Sequence, residues 1–271
     1  MTKRESEIIE LIRKEVKPAL GCTEPIAVAL AVAKAMEIMD EHAKCAEGWR
    51  YSDGYSLKIE VSGNILKNGM GVGIPGTGMV GLHIASALGA VCGKSSYGLE
   101  VLHDLNDGSI AQAKKMVEAQ RVCVGIAETP LKLYVKASVT DACGNCGYAV
   151  IENDHDNIVE TGFGDVVLSS ARKEDTCADQ KTTLDYNLTV REIFEFATTV
   201  AYEDIAFILE SRTLNLALAE EGLRGAYGLR VGQAISASAN REVFGEDFLS
   251  YAMALTAAAS DARMEAAHWL Q

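Results

Sequence analysis

Cys22 is the residue in this 271-residue chain best placed to do chemistry. It stands in the run Lys17-Pro18-Ala19-Leu20-Gly21-Cys22-Thr23-Glu24-Pro25, between a glycine and a predicted helix start. Thr23 is of the type that caps a helix, and Pro25 falls in the first turn, where a missing N–H costs nothing. An apolar, Ala-rich run follows through Ile26, Val28, Leu30, Val32 and Met36. A thiol beside a helix N-terminus meets unpaired N–H groups and the positive end of the dipole. Those favour the thiolate, the form that attacks carbon or binds a metal. The same placement also suits a buried structural thiol, the common fate of a free cysteine, so placement alone leaves both readings open.

The second informative stretch is Ser62 to Gly81, SGNILKNGMGVGIPGTGMVG. Gly71-x-Gly73-x-x-Gly76 lies between a strand pattern and a helix pattern, with Glu100 downstream, which matches a dinucleotide fingerprint in outline. Three features count against that. The strand ends near Val61 and Gly63 to Met70 intervene, whereas the fingerprint needs a tight turn directly off the strand. Pro75 removes an N–H from a loop whose use is to present them. No regular βαβ alternation follows. The N–H groups of Gly76, Thr77 and Gly78, with Thr77 capping the next helix, read instead as an anion-binding loop for a substrate carboxylate. A tight strand-to-helix turn is the alternative.

The remaining candidates are weaker. Cys143-Gly144-Asn145-Cys146 is a single C-x-x-C without a second pair, and reads as a turn between strands. Cys45, Cys92, Cys123 and Cys177 read as core or surface thiols. His155 and Asn157 fall in a predicted hairpin turn, where such residues serve the backbone. His83 falls on the helix after the glycine-rich run and reads as a packed histidine. Asp261 and Arg263 form the sharpest charged pair of the back half. Arg263 has the fork geometry to clamp a carboxylate, and a helix-surface pair is the other reading.

Taken together, these segments resemble the L-cysteine desulfidase family, which is related to the alpha part of bacterial iron–sulfur L-serine dehydratases. The similarity runs along nearly the whole chain. It includes KPALGCTEP around Cys22, NG-x-x-VGIPGTG from Asn68 to Gly78, the His155-Asp156-Asn157-Ile158 turn and Ser260-Asp261-Ala262-Arg263-Met264. The resemblance implies a 4Fe–4S cluster held by three cysteines, with one iron open to substrate and Cys22 as the first ligand. It implies β-elimination of L-cysteine to pyruvate, ammonia and sulfide. In that family the other two cluster cysteines lie beyond a Ser/Gly/Asn-rich loop after SDARM. Here the sequence continues as Glu265-Ala266-Ala267-His268-Trp269-Leu270-Gln271. The expectation is a chain truncated relative to the family, completed by a separate chain, or without the cluster. Two alternatives go with it: L-serine dehydratase-type deamination, and a cluster-free, non-catalytic chain.

These residues need elements to hold them. Residues 4–16 and 24–42 read as helices, and Leu57, Ile59 and Val61 alternate with Lys58 and Glu60 as a strand. Helices are predicted near 79–91 and 109–120, and a strand over 131–139. Residues 147–153 and 157–162 flank Asn153-Asp154-His155-Asp156 as a hairpin. Residues 165–187 read as a polar surface connection. From Val190 onward the pattern is helical, over about 190–199, 201–220, 224–240 and 247–268. All four prolines lie in the front half, which suits long helices behind them. The fold class is α+β, with a small antiparallel sheet and hairpin in the front half and a helical layer in the back half. The division is 1–188, carrying the Cys22 and glycine-rich loops, and 189–271, the helical part.

Composition bounds the rest. A net charge of −13 repels nucleic-acid backbones and anionic membranes, so neither is an expected partner. A small amino-acid substrate is compatible with it, because local charge can oppose net charge. The charged first twenty residues are unlike a signal peptide. The longest apolar stretch, Ile26 to Ala33, is too short for a membrane span. Seven cysteines at irregular spacing suit reduced thiols and a cytoplasmic location. An apolar face left open at the end of the sequence would promote a homo-oligomer.

Overall fold

The computed structural model describes residues 2–16, 21–43, 54–171, 187–237 and 248–263. Helix α1 (Lys3–Glu15) begins at a capping box, in which Thr2 accepts the Glu5 N–H and the Glu5 side chain accepts the Thr2 N–H. Helix α2 (Thr23–His42) is buried on almost every side, as its apolar composition requires. Strand β1 (Tyr55–Val61) keeps the predicted alternation, burying Tyr55, Leu57, Ile59 and Val61. Ser62 then starts helix α3 (Gly63–Gly69) by accepting the Ile65 N–H, while its own hydroxyl donates to the Lys132 carbonyl at 2.8 Å. That helix lies inside the stretch read from sequence as a loop. Strands β2 (Gly73–Ile74) and β3 (Met79–Val80) make a minimal hairpin. Helices α4 (Leu82–Val91) and α5 (Asp107–Glu118) follow.

Strands β4 (Val122–Ile126), β5 (Tyr134–Asp141), β6 (Cys146–Glu152), β7 (Ile158–Phe163) and β8 (Val166–Ser170) join β1 in a six-stranded sheet of order β4-β1-β5-β6-β7-β8. Only the β1–β4 pair is parallel; the others are antiparallel. The fold is therefore α+β as expected, with a wider sheet than the pattern showed. The hairpin around Asn153-Asp154-His155-Asp156 is present between β6 and β7, with Asn153 at φ 69°. β8 falls within the segment read as an irregular connection, and all of its residues are exposed.

α2 packs on β5, β6 and β7 and against α4. Glycines allow the close approach. A β-carbon at Gly89 would stand 2.5 Å from the Ala29 carbonyl oxygen, and one at Gly147 would stand 2.8 Å from Met39 Cγ. Leu30, Met36, Met39, Leu57, Ile59 and Leu88 are the large side chains at the centre of this core.

Beyond the sheet come helices α6 (Val190–Thr199), α7 (Tyr202–Ile205), α8 (Leu209–Arg224), α9 (Val231–Ser236) and α10 (Phe248–Arg263). The helix expected over 224–240 is shorter than its pattern. Gly228 and Arg230, at φ 50° and 55°, turn the chain before α9 begins. A 3-10 turn, Ala206–Ile208, interrupts the one expected over 201–220.

The chain divides into two compact units, Met1–Pro18 with Lys173–Ala217, and Ala19–Arg172 with Leu218–Gln271. In the first, Arg4 donates to Glu192 Oε1 at 3.1 Å and to the Asn187 carbonyl at 3.2 Å, and the Arg13 guanidinium lies 4.0 Å from the Phe207 ring centre. The second holds the sheet, α2 to α5, α9 and α10. There, small residues let α9 and α10 approach, with Gly232 against Ala258.

Candidate functional site

Cys22, with extended φ/ψ of −75° and 135°, is the N-cap of α2. It takes the place expected for Thr23, which is instead the first helical residue. The Cys22 side chain makes no capping bond; its thiol donates to Glu24 Oε2 at 2.8 Å. The Thr23 hydroxyl reaches the same oxygen at 3.5 Å. Asn68, at the end of α3, donates to the other oxygen, Glu24 Oε1, at 3.0 Å. One carboxylate thus ties the start of α2 to α3.

The charges around this carboxylate oppose each other. Burial disfavours the ionised form of Glu24, but the hydrogen bonds from Cys22, Asn68 and its own backbone N–H, with the charge of His155, outweigh it. The carboxyl is held below its ordinary range. Cys22 moves the other way. Burial, then the Glu24 hydrogen bond and charge, push the thiol up, and the Glu24 N–H and the charge of Arg263 only partly offset them. The thiolate expected from the helix N-terminus is therefore not the favoured form. The dipole is present, but burial and an adjacent carboxylate oppose it.

The glycine-rich turn stands next to this cluster. A β-carbon at Gly21 would lie 3.6 Å from Pro75 Cγ, so the two motifs meet where Gly21 takes φ 96°. Gly76 and Gly78 adopt φ 72° and 64° and are exposed. Thr77 between them is only 2% exposed. Its N–H donates to the Ile74 carbonyl at 3.1 Å and its hydroxyl to the same carbonyl at 2.7 Å, while Met79 N–H donates to its Oγ1 at 3.0 Å. The expectation that Thr77 caps the next helix is thus corrected. Thr77 closes the β2–β3 turn, and α4 starts at Gly81, which makes no side-chain cap. Gly76 and Gly78, on either side of Thr77, are the exposed residues of the turn.

Arg263, at the end of α10, is exposed and acts on Cys22 through its charge. Asp261 is engaged elsewhere. Its Oδ2 accepts the Gly232 N–H at 3.2 Å, so it caps α9 across the helix pair. His155 acts on Glu24 from the β6–β7 turn. Of the residues singled out from sequence, Cys22 follows Gly21, which meets Pro75 of the glycine-rich turn, while His155 bears on Glu24 and Arg263 on Cys22 through charge alone. Glu24 and Asn68 were missed as site residues, although both sit inside the two motifs that drew attention.

The other candidates fall away from this cluster. Cys143 to Cys146 is the β5–β6 turn. There Asp141 Oδ1 accepts the N–H groups of Cys143 and Asn145 at 2.9 Å each, which gives the segment a structural purpose. His83 is half-buried on α4. Cys45, Cys177, Lys17 to Leu20 and Met264 lie outside the described residues. Among the described residues, no group of three His, Cys, Asp or Glu side chains could hold a metal ion. The free cysteines Cys92, Cys123, Cys143 and Cys146 do not join Cys22 in one. A cluster needing three thiolates does not fit the described residues alone.

At 41% identity over 96% of its length, the chain is similar to a UPF0597 protein of Phocaeicola vulgatus, 58% of which is matched. A UPF0597 protein of Bacteroides fragilis is 40% identical over 98% of the chain and 60% of its own length. One of Oleidesulfovibrio alaskensis is 43% identical over 96% of the chain and 58% of its own length. The chain spans about three-fifths of the length of the curated relatives it matches. No family model and no solved structure matches it.

Proposed function

We propose that this chain carries the substrate-facing part of an iron–sulfur-dependent carbon–sulfur lyase that eliminates sulfide from L-cysteine. The reaction breaks the Cα–H and Cβ–S bonds and leaves an aminoacrylate, which hydrolyses to pyruvate and ammonia. The supporting observation is that the Glu24 carboxylate joins two of the motifs by accepting from the Cys22 thiol and from Asn68, with His155 and Arg263 of the other two acting by charge on Glu24 and Cys22. In this reading Arg263 and the N–H groups of Gly76 and Gly78 receive the substrate carboxylate. Cys22 is one ligand position of a cluster whose other ligands lie outside the described residues. L-serine deamination differs only in its leaving group and is separated by substrate.

A second reading rests on the absence of a three-ligand group among the described residues. In it, the chain is cluster-free and does not turn over substrate.

The test is sulfide and pyruvate release from L-cysteine, with iron and acid-labile sulfide content, on the chain purified and reconstituted without oxygen. Iron binding and release that both vanish in Cys22→Ala support the lyase. Release unchanged in Cys22→Ala overturns the role of Cys22. A colourless protein that stays inactive after reconstitution supports the second reading.

A further inference from the structure

We propose that the outer face of α10 is a docking surface for an apolar polypeptide element, equivalent to the part of the longer relatives that this chain does not match. Neither Cys22 nor a cluster enters into it.

α10 has the composition of a core helix. From Phe248 to Ser260 it carries no charged residue, and a helix apolar all round belongs in an interior. α2, of like composition, is buried on almost every side, between the sheet and α4. α10 instead buries one stripe, Ser250, Ala254, Ala258 and Ala262, which recurs every fourth residue. Small residues seat that stripe. A β-carbon at Gly232 of α9 would stand 2.5 Å from Ala258 Cβ, and Gly222 of α8 lies against the Ala258 carbonyl. The large side chains point elsewhere: Phe248, Leu249, Tyr251 and Met253 are 84%, 65%, 60% and 43% exposed. They form two ridges, Leu249 with Met253 and Phe248 with Tyr251, each pair one turn apart. That is the relief with which a facing helix interdigitates.

The relatives say what covers these ridges. Only 58–60% of their length is matched, so about two-fifths of each is further chain. The Bacteroides fragilis match spans 98% of this chain and takes in α10. The relatives therefore hold this helix together with that further length. An apolar element of it, laid on the two ridges, would give α10 the burial that α2 has. A second copy of this chain fits less well, because each copy brings a net charge of −13 to the contact.

The test is to produce the full chain alone and together with the unmatched part of the Phocaeicola vulgatus relative. Hydrogen exchange across residues 248–263 is then followed by mass spectrometry. Alone, the chain should run as a monomer on size exclusion, and these amides should exchange fast. Together, the two should copurify, and exchange should slow by about tenfold or more, as burial raises the cost of opening the helix. Leu249→Glu with Met253→Glu should undo the slowing. Both side chains are exposed, so circular dichroism should show this variant folded. Ser56→Glu, on the exposed face of β1, should leave the slowing in place. Exchange unchanged on co-production overturns the assignment, as does slowing that survives the two substitutions. Slow exchange in the monomeric chain by itself would mean that α10 is already covered. Self-association of the chain that the same two substitutions abolish would make a second copy the occupant, and either result also overturns it.

Discussion

The Cys22 thiol donates to Glu24 Oε2 at 2.8 Å, within the first turn of a 20-residue helix. Burial first, and that contact second, hold the thiol against the pull of the helix dipole. The proton stays on sulfur, because burial and a neighbouring negative charge both disfavour a thiolate, and Arg263 only partly compensates.

Alkylation should therefore be slow at Cys22. With iodoacetamide at pH 8, followed by mass spectrometry, Cys22 should label more slowly than the exposed Cys123 and Cys143. Glu24→Gln, which removes the charge, should accelerate it. A Cys22 that labels first would contradict the raised thiol. The sign for stability follows. Because the folded thiol titrates above its unfolded value, its contribution is present below the ordinary thiol range and is lost as pH rises through the raised value.

Asn68→Ala should act through the carboxylate instead. Glu24 titrates below its unfolded value, so its contribution is present above the ordinary carboxylate range and is lost as pH falls through the depressed value. Removing the Asn68 bond should cost about 0.5–1 kcal/mol near neutral pH, since Asn68 is exposed. The cost should shrink at the acid end of the range, once pH has fallen through the depressed Glu24 value and the folded carboxyl takes up its proton. Urea unfolding near neutral pH and at that acid end measures it, and an equal cost at both would refute the charge-based account.

Thr77→Val keeps shape and removes the hydroxyl that serves both Ile74 and Met79. Leaving the Met79 N–H without its acceptor should cost about 1–3 kcal/mol. Melting temperature should fall, and hydrogen exchange should quicken at Met79. No change in either would mean that the hydroxyl does not hold the turn.

Gly89→Ala should destabilise despite the better helix propensity of alanine. The new methyl would meet the Ala29 carbonyl at 2.5 Å, and overpacking of this kind costs about 1–3 kcal/mol. Gly63→Ala, where nothing lies within 4 Å, is the control and should be neutral or stabilising. Equal denaturation midpoints for the two variants would refute the close α2–α4 approach.

The elements legible in the sequence were those with strong local signals. The alternation of Leu57, Ile59 and Val61, the apolar run after Cys22 and the turn at Asn153 to Asp156 each marked its element. α3 was hidden because its residues lie between glycines, and its cap, Ser62, precedes no apolar periodicity. β8 was hidden because it is exposed along its whole length and carries no burial pattern. The site was legible as positions and illegible as relationships. The pairing of Glu24 with Asn68 and of Asp261 with Gly232 joins segments far apart in the chain, and no local spacing encodes it.

That separation gives the thiol a use as a sensor. Cys22 feels Glu24 in the first turn of α2 and Arg263 at the far end of α10, groups far apart in the chain. Its reactivity is thus a one-residue gauge of completed folding. A chain whose sheet has formed but whose last helix has not docked would betray itself by a changed labelling rate at this sulfur, before any assay of turnover.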